Sequence, residues 1–414
     1  MSAEPQEVEI ARLGAQGDGI VDRPLRPLYV PFALPGERWR VGGGEPVLLQ
    51  AHAERAAPVC RHFGACGGCV AQHMPEDIYL AWKRAAVVDA LRHRGIDTDV
   101  GPLLRVPPAS RRRVTLYAVR EGSDLRLGFH RRATHSIVDV AECPIAVAAI
   151  VAALPALREL LEPVVAARPG AAVHVLATPQ GLDVHLEPAS GAVPRTHYAR
   201  LAALAARHGF ARLTVGEDVV LLMRPPALAF DGIAVEPPPA AFVQAVAEAE
   251  AGMIRLVTAA AAGAKRVADL FCGVGTFALP LARRARVLAV DSREDAVAAL
   301  AAALRRASGL KPIESRARDL FRTPLSPTEL AGFDAVVLDP PAQGARAQVG
   351  QLARSDVPVV IYVSCDPGTL ARDVRVLVDA GYALRSVTPI DQFLYAPHVE
   401  AVAVLERGRQ RRPR

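Results

Sequence analysis

From about Val8 to Leu49 apolar and polar positions alternate, with Gly- and Pro-bearing turns between them: VEIARLG, AQGDG, IVDR, LYVPFALPGERWRV. Period-two alternation broken by close turns predicts short, half-buried strands, and over residues 1–55 it predicts a small β-barrel. A helical spacing follows across Pro75–Arg94, where Ile78, Leu80, Ala81, Trp82, Val87, Val88 and Leu91 are apolar. From Gly101 to about Pro239, strand patterns such as RRRVTLYAV and AAVHVLAT mix with Ala/Leu-rich helical stretches, an α+β region. Beyond EPPPA at 236–240 the rhythm changes. Short apolar runs now lead repeatedly into helical patterns (RVADLFCGVGTFALPLARR, RVLAVDSREDAVAALAAALRRA, FDAVVLDPPAQG, VPVVIYVSCDPGTLARDVRVLVDAG), the rhythm of a doubly wound α/β unit whose parallel sheet is covered on both faces. The expected division is 1–55, 56–95, 96–239 and 240–414.

Composition narrows the function classes. In 414 residues, 51% are hydrophobic and 22% charged, which excludes a disordered chain and leaves room for several cores. A net charge of +6 permits a polyanionic partner without demanding one. MSAEPQEVEI carries acids and no apolar run, and later apolar runs are cut by charge or Pro, so a soluble, cytoplasmic chain with no membrane partner is expected. The terminal RGRQRRPR reads as a solvated basic tail.

Five constellations carry chemistry. The turn Asp269-Leu-Phe-Cys-Gly-Val-Gly-Thr276 leaves a buried strand, crosses Gly273 and Gly275 and opens a helix, where a ligand can approach bare backbone. Asp291 ends the next strand, at a distance suited to a ribose diol. The glycine pattern is incomplete for a dinucleotide, and Asp269 would repel a pyrophosphate, so a sulfonium cofactor such as S-adenosyl-L-methionine fits better. Asp339-Pro340-Pro341 follows the strand DAVVL at the sheet end where ligands bind. Cys365, at the end of VVIYVS, is a candidate nucleophile facing the same crevice, with a buried core thiol as the alternative. A thiolate there has a clear use. C5 of uracil is a poor nucleophile until a thiolate adds to C6 and turns the ring into an enolate. Removing the C5 proton afterwards needs a base, for which Glu400 at the head of the last strand and His398 compete.

Cys60, Cys66 and Cys69, in the spacing C-x5-C-x2-C, and Cys143 make up the four thiolates usual for a 4Fe-4S cluster, with a four-thiolate zinc as the rival. The amides of the C-G-G-C turn could donate to cluster sulfides, which favours iron. Arg111, Arg112 and Arg113, with His130, Arg131 and Arg132, would form a positive ribbon suited to phosphates if they pair across a hairpin; otherwise they are a solvated strand face.

DLFCGVGTFALPLA, LDPPAQG, YVSCDPGTLARD and HVE, in this order, resemble the RNA (uracil-5-)-methyltransferase family, and C-x5-C-G-G-C resembles its cluster-bearing 23S ribosomal RNA branch. VEIARLGAQGDGIV looks like the oligonucleotide-binding TRAM barrel of those enzymes. The resemblance implies Cys365 as nucleophile and Glu400 as base. It implies Gln244, Phe271, Thr276, Asp291, Asp319 and Asp339 around S-adenosyl-L-methionine, and the four cysteines around a 4Fe-4S cluster. It further implies a monomer acting on RNA, ribosomal RNA first and transfer RNA as the alternative. The chain departs from the family pattern at Ala342 (usually Arg), Asp366 (usually Asn) and Val246 (usually Asn). A cytosine-5 enzyme would carry a second cysteine at position 342, an amino-group methyltransferase an aromatic residue there, and a radical enzyme C-x3-C-x2-C. A degenerate, non-catalytic RNA-binding protein is the remaining class.

Overall fold

The computed structural model describes residues 4–24, 26–165, 170–189 and 193–408; the end of the basic tail, from 409, lies outside them. Six short strands between Gln6 and Gln50 form two three-stranded antiparallel sheets. One holds Gln6–Glu9, Arg38–Val41 and Val47–Gln50, the other Arg12–Leu13, Gly19–Val21 and Leu28–Val30, around a core of Ile10, Val30, Ala33, Trp39 and Val41. None of the helices is long and apolar enough to cross a membrane, among the described residues.

The central region is one seven-stranded sheet with spatial order Asp218–Leu222, Arg212–Val215, Gly181–Pro188, Ala171–Thr178, Arg113–Glu121, Asp124–His130, Ile137–Asp139. Only the pair Gly181–Pro188 and Arg212–Val215 runs parallel. Helices Leu154–Leu161 and Tyr198–Arg207 bury Leu157, Leu160, Leu201 and Leu204 against one face.

The C-terminal sheet has the spatial order Ile313–Ala317, Arg286–Asp291, Arg266–Leu270, Ala335–Leu338, Val359–Ser364, Glu400–Arg407, Tyr382–Ile390. Its strands are apolar at consecutive positions because both faces are buried. Val267, Val287, Val337 and Ile361 face one core, whereas Ala268, Leu288, Val336 and Val360 face the other. The expected all-parallel sheet holds for five strands; the last two run antiparallel to their neighbours. The reason is length. Residues 391–399 connect Tyr382–Ile390 to Glu400–Arg407, and a parallel crossover needs about a dozen residues or more.

The helix Glu76–Arg92, close to the span predicted, does not pack where its sequence position suggests. Val87 and Leu91 enter the core of the C-terminal sheet beside Leu370 and Val374 of the helix Pro367–Asp379. Its other end carries Tyr79, Trp82 and Lys83, all buried. The Lys83 ammonium pairs with Asp391 Oδ1 at 2.8 Å and donates to the carbonyls of Phe393 (2.9 Å) and His398 (2.7 Å). The Tyr79 hydroxyl donates to Asp391 Oδ2 and accepts from Tyr395 N–H at 3.0 Å. The loop 391–399 is thereby tied at both ends to a helix more than three hundred positions earlier in the chain.

Removing one partner of a buried pair strands the other charge, at about 3–5 kcal/mol. Lys83→Ala is therefore expected to reduce the unfolding free energy of the intact chain by that order and to lower its urea midpoint accordingly. Trp82, one of only two tryptophans, sits in the joint and makes intrinsic fluorescence the readout. A midpoint unchanged from wild type would contradict this account.

Candidate active site

The strand Arg266–Leu270 has the second strand of the unit on one side and the fourth on the other, so the winding reverses beside it and leaves a crevice at the carboxyl ends. The turn after it is built for close approach. Gly273 has φ +52° and Gly275 φ +98°. A Cβ at Gly275 would lie 2.6 Å from Leu300 Cδ1, whereas one at Gly273 would meet nothing within 4 Å. The first glycine therefore opens space and the second permits packing. Phe271 holds φ +64°, a strained value for a side chain with a Cβ, and its ring packs 5.3 Å from that of Phe321.

Asp291 anchors the turn: its Oδ2 accepts from Gly273 N–H at 2.8 Å and its Oδ1 from Arg293 N–H at 2.9 Å. Asp319 folds its own loop, accepting from Phe321 N–H (2.9 Å) and Arg322 N–H (3.2 Å). Thr276 is buried at the start of the following turn. Asp269, which the sequence marks as the start of the motif and as hostile to a pyrophosphate, is fully buried, and among the described residues no side chain donates to its carboxylate. Burial, and then the charge of Asp339, push its pKa well above the ordinary value.

The antiparallel return brings the rest together. Ser364 pairs with Ala401, so the next residue on one strand, Cys365, and the preceding residue on the other, Glu400, meet at the same sheet edge. Glu400 is 3% exposed; burial, and then Asp339, raise its pKa well above the usual carboxylate range. Asp339 is pushed up to about 7 by burial, an effect its hydrogen bond from Gln244 moderates. Burial and the neighbouring Glu400 and Asp339 charges push the Cys365 thiol up to about 12. The resting thiol is thus protonated. Asp366 does not turn inward: its carboxylate accepts from Thr369 N–H at 2.7 Å and caps the helix Pro367–Asp379. His398, the competing base, gives its backbone carbonyl to Lys83, and burial lowers its pKa.

A row of amides joins the carboxylates. Gln244 Nε2 donates to Asp339 Oδ2 at 3.1 Å, while Gln392 Nε2 donates to Gln244 Oε1 at 2.8 Å and to Glu400 Oε2 at 3.0 Å. Gln392 belongs to no motif read from the sequence, and nothing local marks it. Asp269 was legible, since an acid inside a buried apolar run needs a reason. Among the described residues, no Lys or Arg pairs with Asp269, Asp291, Asp339 or Glu400. The crevice is a nest of carboxylates that suits a cationic ligand carrying a sulfonium and an ammonium group.

Cys60, Cys66, Cys69 and Cys143 line one cavity of about 570 Å³, together with Arg111, Arg113 and the loop residues Phe393, Leu394, Pro397 and His398. Burial first, and then thiolate charge from others of the four, raises the pKa of Cys66, Cys69 and Cys143. Among the described residues no three His, Cys, Asp or Glu side chains converge as ligands of a single metal ion. The basic ribbon is split. Arg112 pairs with Glu250 at 2.8 Å, Arg132 with Asp18 at 2.6 Å, and Arg113 stacks on Phe242.

A family model described as tRNA (Uracil-5-)-methyltransferase matches residues 315–408, which include Asp319, Asp339, Cys365 and Glu400. An uncharacterized RNA methyltransferase of Rhizobium meliloti is 45% identical, over 97% of this chain and 99% of its own length. The 23S rRNA (uracil(1939)-C(5))-methyltransferase RlmD of Pseudomonas putida is 34% identical, over 97% and 94% respectively. In fold, the chain is similar to the Pyrococcus abyssi tRNA (uracil-54, C5)-methyltransferase solved with S-adenosyl-L-homocysteine. The TM-score is 0.74 at 23% identity, covering 97% of this chain and all of that one.

The two carboxylates beside Cys365 make its ionisation testable. Each unit by which a thiol pKa rises cuts the thiolate about tenfold at a pH below it. Iodoacetamide at pH 8, followed by peptide mass mapping, should label Cys365 slowly. Glu400→Gln should speed that labelling by about tenfold, because losing a negative neighbour lowers the pKa. Equal rates in the two proteins would show that Glu400 does not act on the thiol.

Proposed function

The chain belongs to the RNA (uracil-5-)-methyltransferase family, an S-adenosyl-L-methionine-dependent RNA-modifying family, and from this membership we propose that it methylates C5 of a uridine in RNA, ribosomal RNA by preference, through a covalent adduct. The observation that carries the reading is the meeting of Cys365 and Glu400 at the ends of adjacent antiparallel strands, beside Asp339.

Gln244, Phe271, Gly273, Gly275, Thr276, Asp291, Asp319 and Asp339 would hold S-adenosyl-L-methionine, with Asp291 on the ribose and Asp319 near the adenine. When bound it supplies a methyl group on a sulfonium. The residues of the chain do the rest. Cys365 passes its proton to a neighbouring carboxylate and its sulfur bonds to C6 of uracil. C5 then takes the methyl group. Glu400 accepts the C5 proton, the electrons of that C–H bond restore C5=C6, and the C6–S bond breaks to return the thiolate. Burial keeps the proton affinity of Glu400 high enough for it to act as a base rather than sit as an inert carboxylate.

The strands of residues 1–55 are read as a TRAM-like RNA-binding barrel, 56–95 as a metal segment closed by Cys143, 96–239 as a central region and 240–414 as the catalytic unit. Cys60, Cys66, Cys69 and Cys143 would hold a 4Fe-4S cluster. That all four line one cavity supports a shared site over four unrelated thiols. Anaerobically prepared protein is expected to contain about four irons and four sulfides; zinc alone would overturn the cluster.

The two catalytic roles separate in mutants. Cys365→Ala should be inactive and form no adduct, whereas Glu400→Gln should transfer the methyl group and remain attached to RNA. Denaturing gels with RNA containing 5-fluorouridine test the adduct, and mass mapping of 5-methyluridine in ribosomal and transfer RNA tests the target. Methylation at the wild-type rate by Cys365→Ala would end this mechanism. A mark found only in transfer RNA would change the substrate class and leave the chemistry intact.

A further inference from the structure

Gln392 is 2% exposed and lies between the two halves of the crevice. Its amide is fully engaged: Oε1 accepts from Ala245 N–H at 3.0 Å, and the two Nε2 hydrogens go to Gln244 Oε1 and Glu400 Oε2. This network admits one orientation. A flipped amide would point Nε2 at the Ala245 donor and Oε1 at the Glu400 carboxylate. Gln244 is fixed in turn, because its Oε1 accepts from Gln392 and its Nε2 must face Asp339. One backbone N–H therefore sets the direction of every hydrogen bond from Ala245 to Asp339 on one branch and to Glu400 on the other.

We propose that Gln392 is a positioning residue that occupies Oε2 of Glu400, leaving Oε1 to take the C5 proton, and that through Gln244 it joins the aim of the base to the cofactor side of the crevice. The inference rests on the uracil-5 reading above. Two titratable groups face Glu400: Asp339, from the loop after Ala335–Leu338, which with burial raises it, and Cys365, from the end of the neighbouring strand, which Glu400 raises in turn; Gln392 is the donor set against Asp339. Its own place comes from the tie of Lys83 to Asp391 on one side and to Phe393 on the other.

The test compares wild type with Gln392→Glu and Gln392→Asn, using 23S ribosomal RNA from cells lacking the enzyme and following adduct resolution against pH. The Glu variant keeps the acceptor for Ala245, loses both donors and adds a carboxylate beside the base. Its ascending pH limb should move up by about one unit, and at pH 7 about tenfold more RNA should remain attached. The Asn variant keeps an amide on a shorter arm and should be slower with the limb in the wild-type position. If the Glu variant does not fold, Gln392→Met removes the donors without adding charge, and its limb must also move up. Limbs that coincide with wild type in Glu or Met, or that move equally in Asn, overturn the role of Gln392 while the uracil-5 reading stands. Wild type that forms neither 5-methyluridine nor an adduct with this RNA or with transfer RNA from the same cells overturns both.

Discussion

A buried ammonium group cannot be left unsatisfied, and the Lys83 ammonium is satisfied only if Asp391, Phe393 and His398 all converge on it. That requirement dictates the path of the loop 391–399, and the loop serves two sites at once. Gln392 turns toward the crevice, whereas Phe393, Leu394, Pro397 and His398 turn toward the cavity of the four cysteines. A hydrophobic side chain at 83 could match the ion pair in stability, since desolvation consumes most of the Coulombic gain. It could not specify three acceptors. The value of the lysine lies in position: it delivers the chain to Glu400 with the carboxylate at the sheet edge.

The crevice inverts the usual electrostatics of a nucleophilic cysteine. Many reactive thiols sit near a positive charge that favours the thiolate, but Cys365 sits beside Glu400 and Asp339, which oppose it. Burial first, and then neighbouring carboxylate charge, raises the proton affinity of Asp269, Asp339 and Glu400 above that of free acids. A cation entering this nest lowers all of these proton affinities together. Ligand charge and proton inventory are thus one variable in any site of this composition.

What was legible in the sequence follows from locality. The glycine turn, Asp291, Asp339 and Cys365 all sit at strand ends, where a buried apolar run stops and a turn begins, so pattern alone locates them. Glu400 was legible as the head of a strand, but its meeting with Cys365 depends on the final strand running antiparallel. The connection before it is too short for a crossover, a constraint that could have been read from its length. Gln392 and Lys83 were not legible. A glutamine in a loop and a lysine in a helix have exposed readings by default, and only contacts across more than a hundred positions turn them inward. The packing of the Glu76–Arg92 helix on the C-terminal sheet escaped for the same reason, since periodicity identifies an apolar face without identifying its partner.

The departures from the family pattern can be weighed by what each backbone position requires. Asp366 stands where Asn is usual, and both accept a hydrogen bond from the first turn of the following helix, so the cap on Pro367–Asp379 survives the change. Val246 precedes the helix Ala247–Ala260, where its side chain offers no cap and is buried instead. Ala342 leaves its carbonyl as the working group: it accepts from Thr369 Oγ1 at 2.9 Å, and Arg372 reaches the next carbonyl, of Gln343, at 2.9 Å. A guanidinium is thus brought to the same loop from the helix that Asp366 caps. The loop after Asp339 is thus held from the helix that follows Cys365.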